Sequence, residues 1–322
     1  MSASPLYAGT AIVRNDLGAV AYEFMSGADQ LGYIGGVVLP IFEVPLGVGQ
    51  YPVVPLEALF TEVDDARGPT GDYNEVDWPF EMADYRCADR GLLGRVDDGM
   101  RNLYANVIQV EEITTRTVMA RIMRRHELRA AALVEARAAD VTVTVPWGTA
   151  ATATPSANVE DGIAAMRLSS GLTPNAVAMS YTTFKRAMRT AEVKEAVKYT
   201  KSPDEIGGDT AQAGLLAAHL GVGRVVVGNA LRNSAQKNKT VTLANIWSDD
   251  HVHLLNLSDG GQAIAEPVFG RTLLFTGDSP SMLTVETYRD EGRRSDMIRC
   301  RNNSVEKIIF AGAQYKLKVT AG

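Results

Sequence analysis

Gly99-Met100-Arg101-Asn102-Leu103-Tyr104-Ala105-Asn106-Val107-Ile108-Gln109-Val110 opens a run that reaches Ala139 with neither a proline nor a further glycine. Those two residues are the strongest helix breakers, so their absence over about 40 residues predicts one helix on the order of 60 Å long. Asp97 and Asp98 stand just before it, with capping oxygens and charge suited to the positive end of the helix dipole. Val107, Val110, Thr114, Val118 and Ile122 recur at three- and four-residue steps and form one apolar stripe. Glu112 and Arg116 make an i,i+4 pair in the favourable order. Arg121, Arg124 and Arg125 repel one another and read as a solvated face, which in an assembly would meet acidic side chains of a neighbour. A helix this long exceeds the diameter of a small domain, so part of it is expected to lie outside one compact core.

Ahead of the helix the chemistry is different. Residues 1–55 are rich in Gly and Pro, and Leu39-Pro40-Ile41-Phe42-Glu43-Val44-Pro45 sets strand-type side chains between prolines. An extended apolar segment with little sheet signal makes a poor core and reads as an arm lying across something else. Gly68-Pro69 and Gly71-Asp72 are turn chemistry, and the flanking residues from Asp64 to Asp98 alternate loosely. Together they predict a long hairpin. A lone hairpin is marginal in water, so a partner surface is expected to hold it.

Behind the helix, Ala150 to Ser156 is small and polar and reads as a linker. A helix capped by Asn158 and running to Leu168 should follow, then a buried strand at Ala176–Ser180 and an amphipathic helix from Tyr181 to Tyr199. Lys201 to Gly208 reads as a loop, Ala211 to Leu220 as a helix and Arg224 to Val227 as a strand. Further strands are expected at Thr240–Ile246, His251–Leu257 and Ser281–Tyr288, with a polar turn from Arg289 to Ser295. Val305–Phe310 and Ala313–Val319 close the chain as strands. The class is α+β.

Lys+Arg 32 against Asp+Glu 38 leaves a formal net charge of −6, the opposite of a general nucleic-acid binder, although one face of an assembly could still meet DNA. Cys87 and Cys300 match no zinc or redox spacing, and a reduced, intracellular setting is expected. No secretory signal or membrane span is read: Leu31–Gly49, the most apolar long stretch, is interrupted by Glu43, Pro40 and Pro45. Gly221-Val222-Gly223 precedes a strand instead of following one, the wrong order for a phosphate loop. His251 and His253 share one face of a strand at a spacing a metal could use, but no third ligand joins them and they read as structural. No nucleophile elbow or His-Glu-x-x-His appears, so no catalytic residue, cofactor or metal is assigned.

The order arm, hairpin, long helix, alternating α/β unit and terminal strands resembles the Hong Kong 97 type major capsid proteins of tailed phages, a fold that encapsulin shells share. Ala28-Asp29-Gln30-Leu31-Gly32-Tyr33-Ile34-Gly35-Gly36-Val37-Val38-Leu39-Pro40 is similar to that family's arm. Gly171-Leu172-Thr173-Pro174-Asn175-Ala176-Val177-Ala178-Met179-Ser180, with Phe184 and Val193 to Tyr199, resembles its axial strand–helix unit. Leu216 to Val222, Val225 to Gly228 and Ile246 to Asp250 resemble the segment after it.

The resemblance implies an arm and lead-in at 1–55, an extended loop region at 56–98, and a spine helix of the peripheral domain at 99–140. An axial domain at 141–270 and return strands of the peripheral domain at 271–322 would complete it. It implies self-assembly into hexamers and pentamers of an icosahedral shell around double-stranded DNA, touched non-specifically at the inner face. Localisation would be the virion capsid, assembled in the host bacterial cytoplasm. Partners would be the chain itself, separate scaffolding and portal proteins, a decoration protein in some shells, and no membrane. Inter-subunit contacts are expected at Ile41, Phe42, Arg67, Asp72, Asp77, Trp78, Phe80 and Arg86 of the arm and loop. Arg121, Arg124, Arg125, Asp204, Glu205, Arg293 and Arg294 complete the expected set. Some members weld the loop through a lysine; here the first lysine is Lys185, so the loop supplies no amine. Two other readings stand beside this one, an encapsulin-like compartment and a soluble α/β enzyme of unknown activity.

Overall fold

A computed structural model of the 322-residue chain describes residues 12–13, 17, 32–53, 55, 60, 62, 65–66, 71, 81–104, 109–200, 208–236, 239–258 and 266–320. In chain order come β1 (Ile12–Val13), α1 (Gly35–Val38), β2 (Ile41–Val44), β3 (Val48–Val53), β4 (Glu81–Arg86) and β5 (Ala88–Asp97). They are followed by α2 (Asp98–Tyr104), α3 (Val110–Glu135), β6 (Val141–Thr142), α4 (Pro155–Ser170), β7 (Ala176–Ser180), α5 (Tyr181–Arg189) and α6 (Ala191–Thr200). Next are α7 (Asp209–Leu220), β8 (Arg224–Gly228), β9 (Leu231–Asn233), β10 (Leu243–Asn245) and β11 (His251–Leu255). The chain closes with β12 (Gly270–Phe275), β13 (Thr284–Asp290), β14 (Ser295–Ile308) and β15 (Gln314–Lys318).

Two sheets result. The first runs β1-β13-β14-β12-β2, with β5 also paired to β14. The second runs β6-β15-β11-β7-β8. Val118, Met119, Ile122 and Met123 of α3 pack with Val96, Val285, Ile298 and Cys300 of the first sheet. Two turns on, Ala130, Ala131 and Val134 join Met166, Trp247, Leu255 and Phe269 in a core that reaches the second sheet. The second sheet's other face is filled by Trp147, Val159, Phe184, Leu216, Val252 and Leu317. Helix α3 is therefore rooted in both cores. Its approach to β5 is close: a Cβ at Gly94 would lie 2.5 Å from Thr114 Cγ2.

The single long helix is corrected to two. Gln109 is extended (φ −84°, ψ 90°), so α3 begins at Val110 and covers 26 residues, about 39 Å. Glu111 and Glu112 sit in its first turn, where the dipole favours them. It stops at Glu135 because Lys316 Nζ, far along the chain, donates to the carbonyls of Glu135 and Arg137. Local sequence cannot show that partner.

The expected helix from Tyr181 to Tyr199 also breaks, at Thr190 (ψ 150°), whose hydroxyl donates to the Ala187 carbonyl. Helix α4 starts at Pro155, with proline in its first turn, and not at Asn158. The Asn158 side chain instead accepts from Trp147 Nε1 at 3.1 Å. Ala150–Ser156 is not a free linker: Ala153 is buried in the cluster that fills the second sheet's other face. Among the described residues the long hairpin shows its base, where β3 pairs with β4, and its expected turn at Gly68–Pro69 lies outside them. Strand β5 leaves it to pair with β14.

Candidate functional site

No convergent catalytic set emerges among the described residues, and the informative surface is the one left bare. In the β3–β4 ribbon, Tyr51 and Tyr85 point inward and pack with Val44, Leu273 and Ile309. Alternation along a strand then turns Val48, Gln50, Met82 and Asp84 the other way. Gln50 and Asp84 hydrogen-bond at 2.8 Å, while Val48 and Met82 are 65% and 57% exposed. Leu46, at the turn into β3, is 62% exposed. One face of this ribbon is core, and the other is uncovered, with Val48 and Met82 set among Gln50, Asp84 and Arg86.

Of the residues singled out in sequence, Ile41 is 41% exposed on edge strand β2. Phe42 lies under the Arg271 guanidinium, 5.0 Å from ring centroid to Cζ, so it is partly used within the chain. Arg86 is exposed opposite Val48. Arg121, Arg124 and Arg125 are all exposed. Arg293 and Arg294 stand exposed at the β13–β14 turn, Arg293 lying 3.6 Å from Asp290 and Arg294 adopting φ +45°. Arg67, Asp72, Asp77, Trp78, Phe80, Asp204 and Glu205 lie outside the described residues.

The histidine pair serves a buried ion cluster. His251 Nδ1 and His253 Nε2 lie 3.0 and 2.9 Å from the two oxygens of Glu135, and Lys316 Nζ is 2.7 Å away. Burial alone would raise the Glu135 carboxyl; His253 and Lys316 outweigh it and pull it down to about 2. Gln314 Nε2 approaches His253 Nδ1 at 3.1 Å, which leaves the His253 Nε2–H to donate to Glu135. The expected Glu112–Arg116 pair is present at 3.0 Å. Gly221 caps α7 at φ +68°.

Sequence reading missed Glu127, which is 1% exposed on α3 and accepts from the backbone N–H of Ile34 and Gly35 and from Trp247 Nε1, at 2.9, 2.7 and 2.6 Å. One carboxylate thus ties the arm, α3 and the segment leading into β11. The signal was available: an acid in phase with the buried Met123, Ala130 and Val134. Also missed was an ionic lattice over the first sheet, in which Arg289 bridges Asp98 and Asp296 and Glu286 bridges Arg299 and Arg301. Its bidentate pairing holds Asp98 below its usual range.

This two-sheet architecture threaded by α3 is the Hong Kong 97 type fold of phage capsid proteins. It is shared with a phage-related protein from Bordetella bronchiseptica RB50 (TM-score 0.70, 21% identity, 96% of this chain and 98% of that one). A virus-like particle from Pyrococcus furiosus gives a TM-score of 0.56 at 8% identity, over 94% of this chain and 98% of that one. The capsid of cyanophage P-SCSP1u gives 0.53 at 12% identity, over 88% and 87%. No family model and no curated protein matches the chain.

Proposed function

We propose that the chain is a major capsid subunit that self-associates into the hexamers and pentamers of an icosahedral shell enclosing double-stranded DNA, a structural and not a catalytic role. The observation that carries this reading is the β3–β4 ribbon, an appendage of this fold with one face packed into the core and the other bare, where Val48 and Met82 stand exposed among Gln50, Asp84 and Arg86. Covering Leu46, Val48 and Met82 with a neighbour would stabilise contact at roughly 25 cal/mol per Å². Of the expected inter-subunit set we keep Ile41, Phe42, Arg67, Asp72, Asp77, Trp78, Phe80, Arg86, Asp204, Glu205, Arg293 and Arg294, and set Arg121, Arg124 and Arg125 apart from it. The proposed division is arm 1–55, loop region 56–98, spine-helix region 99–140 holding α3 and most of α2, axial unit 141–270 and return strands 271–322. The pairings of β5 and β15 assign those two strands to the first and second sheet respectively. Separate scaffolding, portal and decoration proteins fit a chain with this role, in a virion assembled in the bacterial cytoplasm.

The test is electron microscopy of the expressed chain beside a variant in which residues 68–80 are replaced by a short Gly-Ser bridge. Shells from the first and folded, unassembled subunits from the second are expected. Normal particles from the loopless variant would refute the loop's part in assembly.

A further inference from the structure

Residues 43–84 hold ten acidic residues and one arginine, a net of −9, so the rest of the chain carries +3. Part of that positive charge is gathered in one place. Arg121, Arg124 and Arg125 are exposed on the side of α3 opposite the residues that pack on the first sheet. Among the described residues none of the three meets a carboxylate. Their three- and four-residue spacing puts them side by side, where like charges destabilise a helix unless something outside compensates. Further along the same stripe, Leu128 and Ala132 pass beneath the β9–β10 hairpin, where Arg232 lines a cavity of about 450 Å³. The acids in that cavity are already engaged: Glu135 by His253 and Lys316, Asp249 by Ser180 and Asn245.

Two polyanions could fit, the acidic loop of a second copy or a nucleic-acid backbone. The flanking residues decide. Thr117 and Ala132 flank the arginines with little to bury, and the stripe's larger apolar side chains, Ile113 and the half-buried Leu128, lie apart at either end, whereas protein interfaces centre on apolar and aromatic seats and are poor in charge there. Trp78 and Phe80 of the loop would find no seat on it. Phosphate oxygens need none: they take planar guanidinium forks directly, and such contacts carry no sequence preference.

We propose that Arg121, Arg124 and Arg125, with Arg232 at one end, bind the phosphate backbone of double-stranded nucleic acid without sequence preference. The inference rests on the shell reading for its setting, since it names the face that would meet the enclosed DNA. The test titrates unassembled subunits with a labelled random-sequence duplex across a range of salt. Wild-type binding should weaken with salt. R121Q/R124Q/R125Q should lose about tenfold or more in affinity and lower the log–log salt slope by about 2–3. Circular dichroism checks that the variant is folded. Absent wild-type binding, or an unchanged affinity and slope in the variant, overturns the proposal. So does a variant that keeps duplex binding but no longer forms particles, which makes the row a contact between copies. If wild-type subunits form no particles at all, the shell reading fails, and the titration still decides the phosphate face on its own.

Discussion

At the scale of single residues, two buried groups on α3 set acid sensitivity in different windows. His126 is 2% exposed, and burial lowers it to about 4, against an ordinary value of 6.5. The unfolded chain therefore binds a proton between pH 6.5 and 4 that the folded chain does not, and stability falls as pH drops through that window. Glu135 works lower. Its carboxyl, pulled down to about 2, contributes stability that is full above pH 4.5 and lost as pH falls towards 2. Thermal midpoints of His126→Gln and Glu135→Gln against pH should each flatten the curve only in its own window. Glu127 is an acceptor for three donors, so Glu127→Ala leaves three buried N–H groups without a partner. A loss of about 2–4 kcal/mol in unfolding free energy is expected by denaturant titration.

Between elements, the contact of α3 with β5 depends on a missing side chain. Gly94→Ala puts a methyl against Thr114 Cγ2 and should cost about 1–3 kcal/mol. Thr114→Ser removes the clashing methyl and should recover part of that loss; additivity of the two changes would show that the contact is not as close as described. The same level shows what sequence could reveal. Strand β7 was legible because four of its five residues are apolar and all five are buried, and α7 because its pattern is local and capped by glycine. Strand β14 was read only at its end. Residues 299–304 (Arg299-Cys300-Arg301-Asn302-Asn303-Ser304) are mostly polar, and only cross-strand partners such as Glu286 make those charges tolerable in a sheet. Strand β12, buried along nearly its whole length, went unread for want of an alternating pattern. The C-terminal end of α3 escaped because its partner Lys316 lies far off in sequence, whereas the phase of Glu127 with Met123, Ala130 and Val134 could have been read. Of the candidate surface, the turn chemistry of the loop was readable, but the bare face of β3–β4 was not. Exposure there follows from which tyrosines the first sheet takes in.

For the whole molecule, uncovered apolar surface predicts a dependence on neighbours that no single-chain property shows. Val48→Asp with Met82→Asp should leave the subunit's thermal midpoint within a few degrees, because both side chains are already exposed. The same pair should remove the high-mass species from size-exclusion chromatography. A shell-sized peak from that variant would mean the ribbon's outer face is not a contact.

Helix α3 also has a mechanical meaning. A beam of about 39 Å clamped in two cores acts as a lever: a tilt of about 5° at one end displaces the other by roughly 3 Å. Strain applied at the first sheet, where the ribbon is anchored, is thereby delivered to the second sheet as a shift and not absorbed by bending. The two halves of each subunit are geared together, and a shell built from them would change shape in coordinated steps.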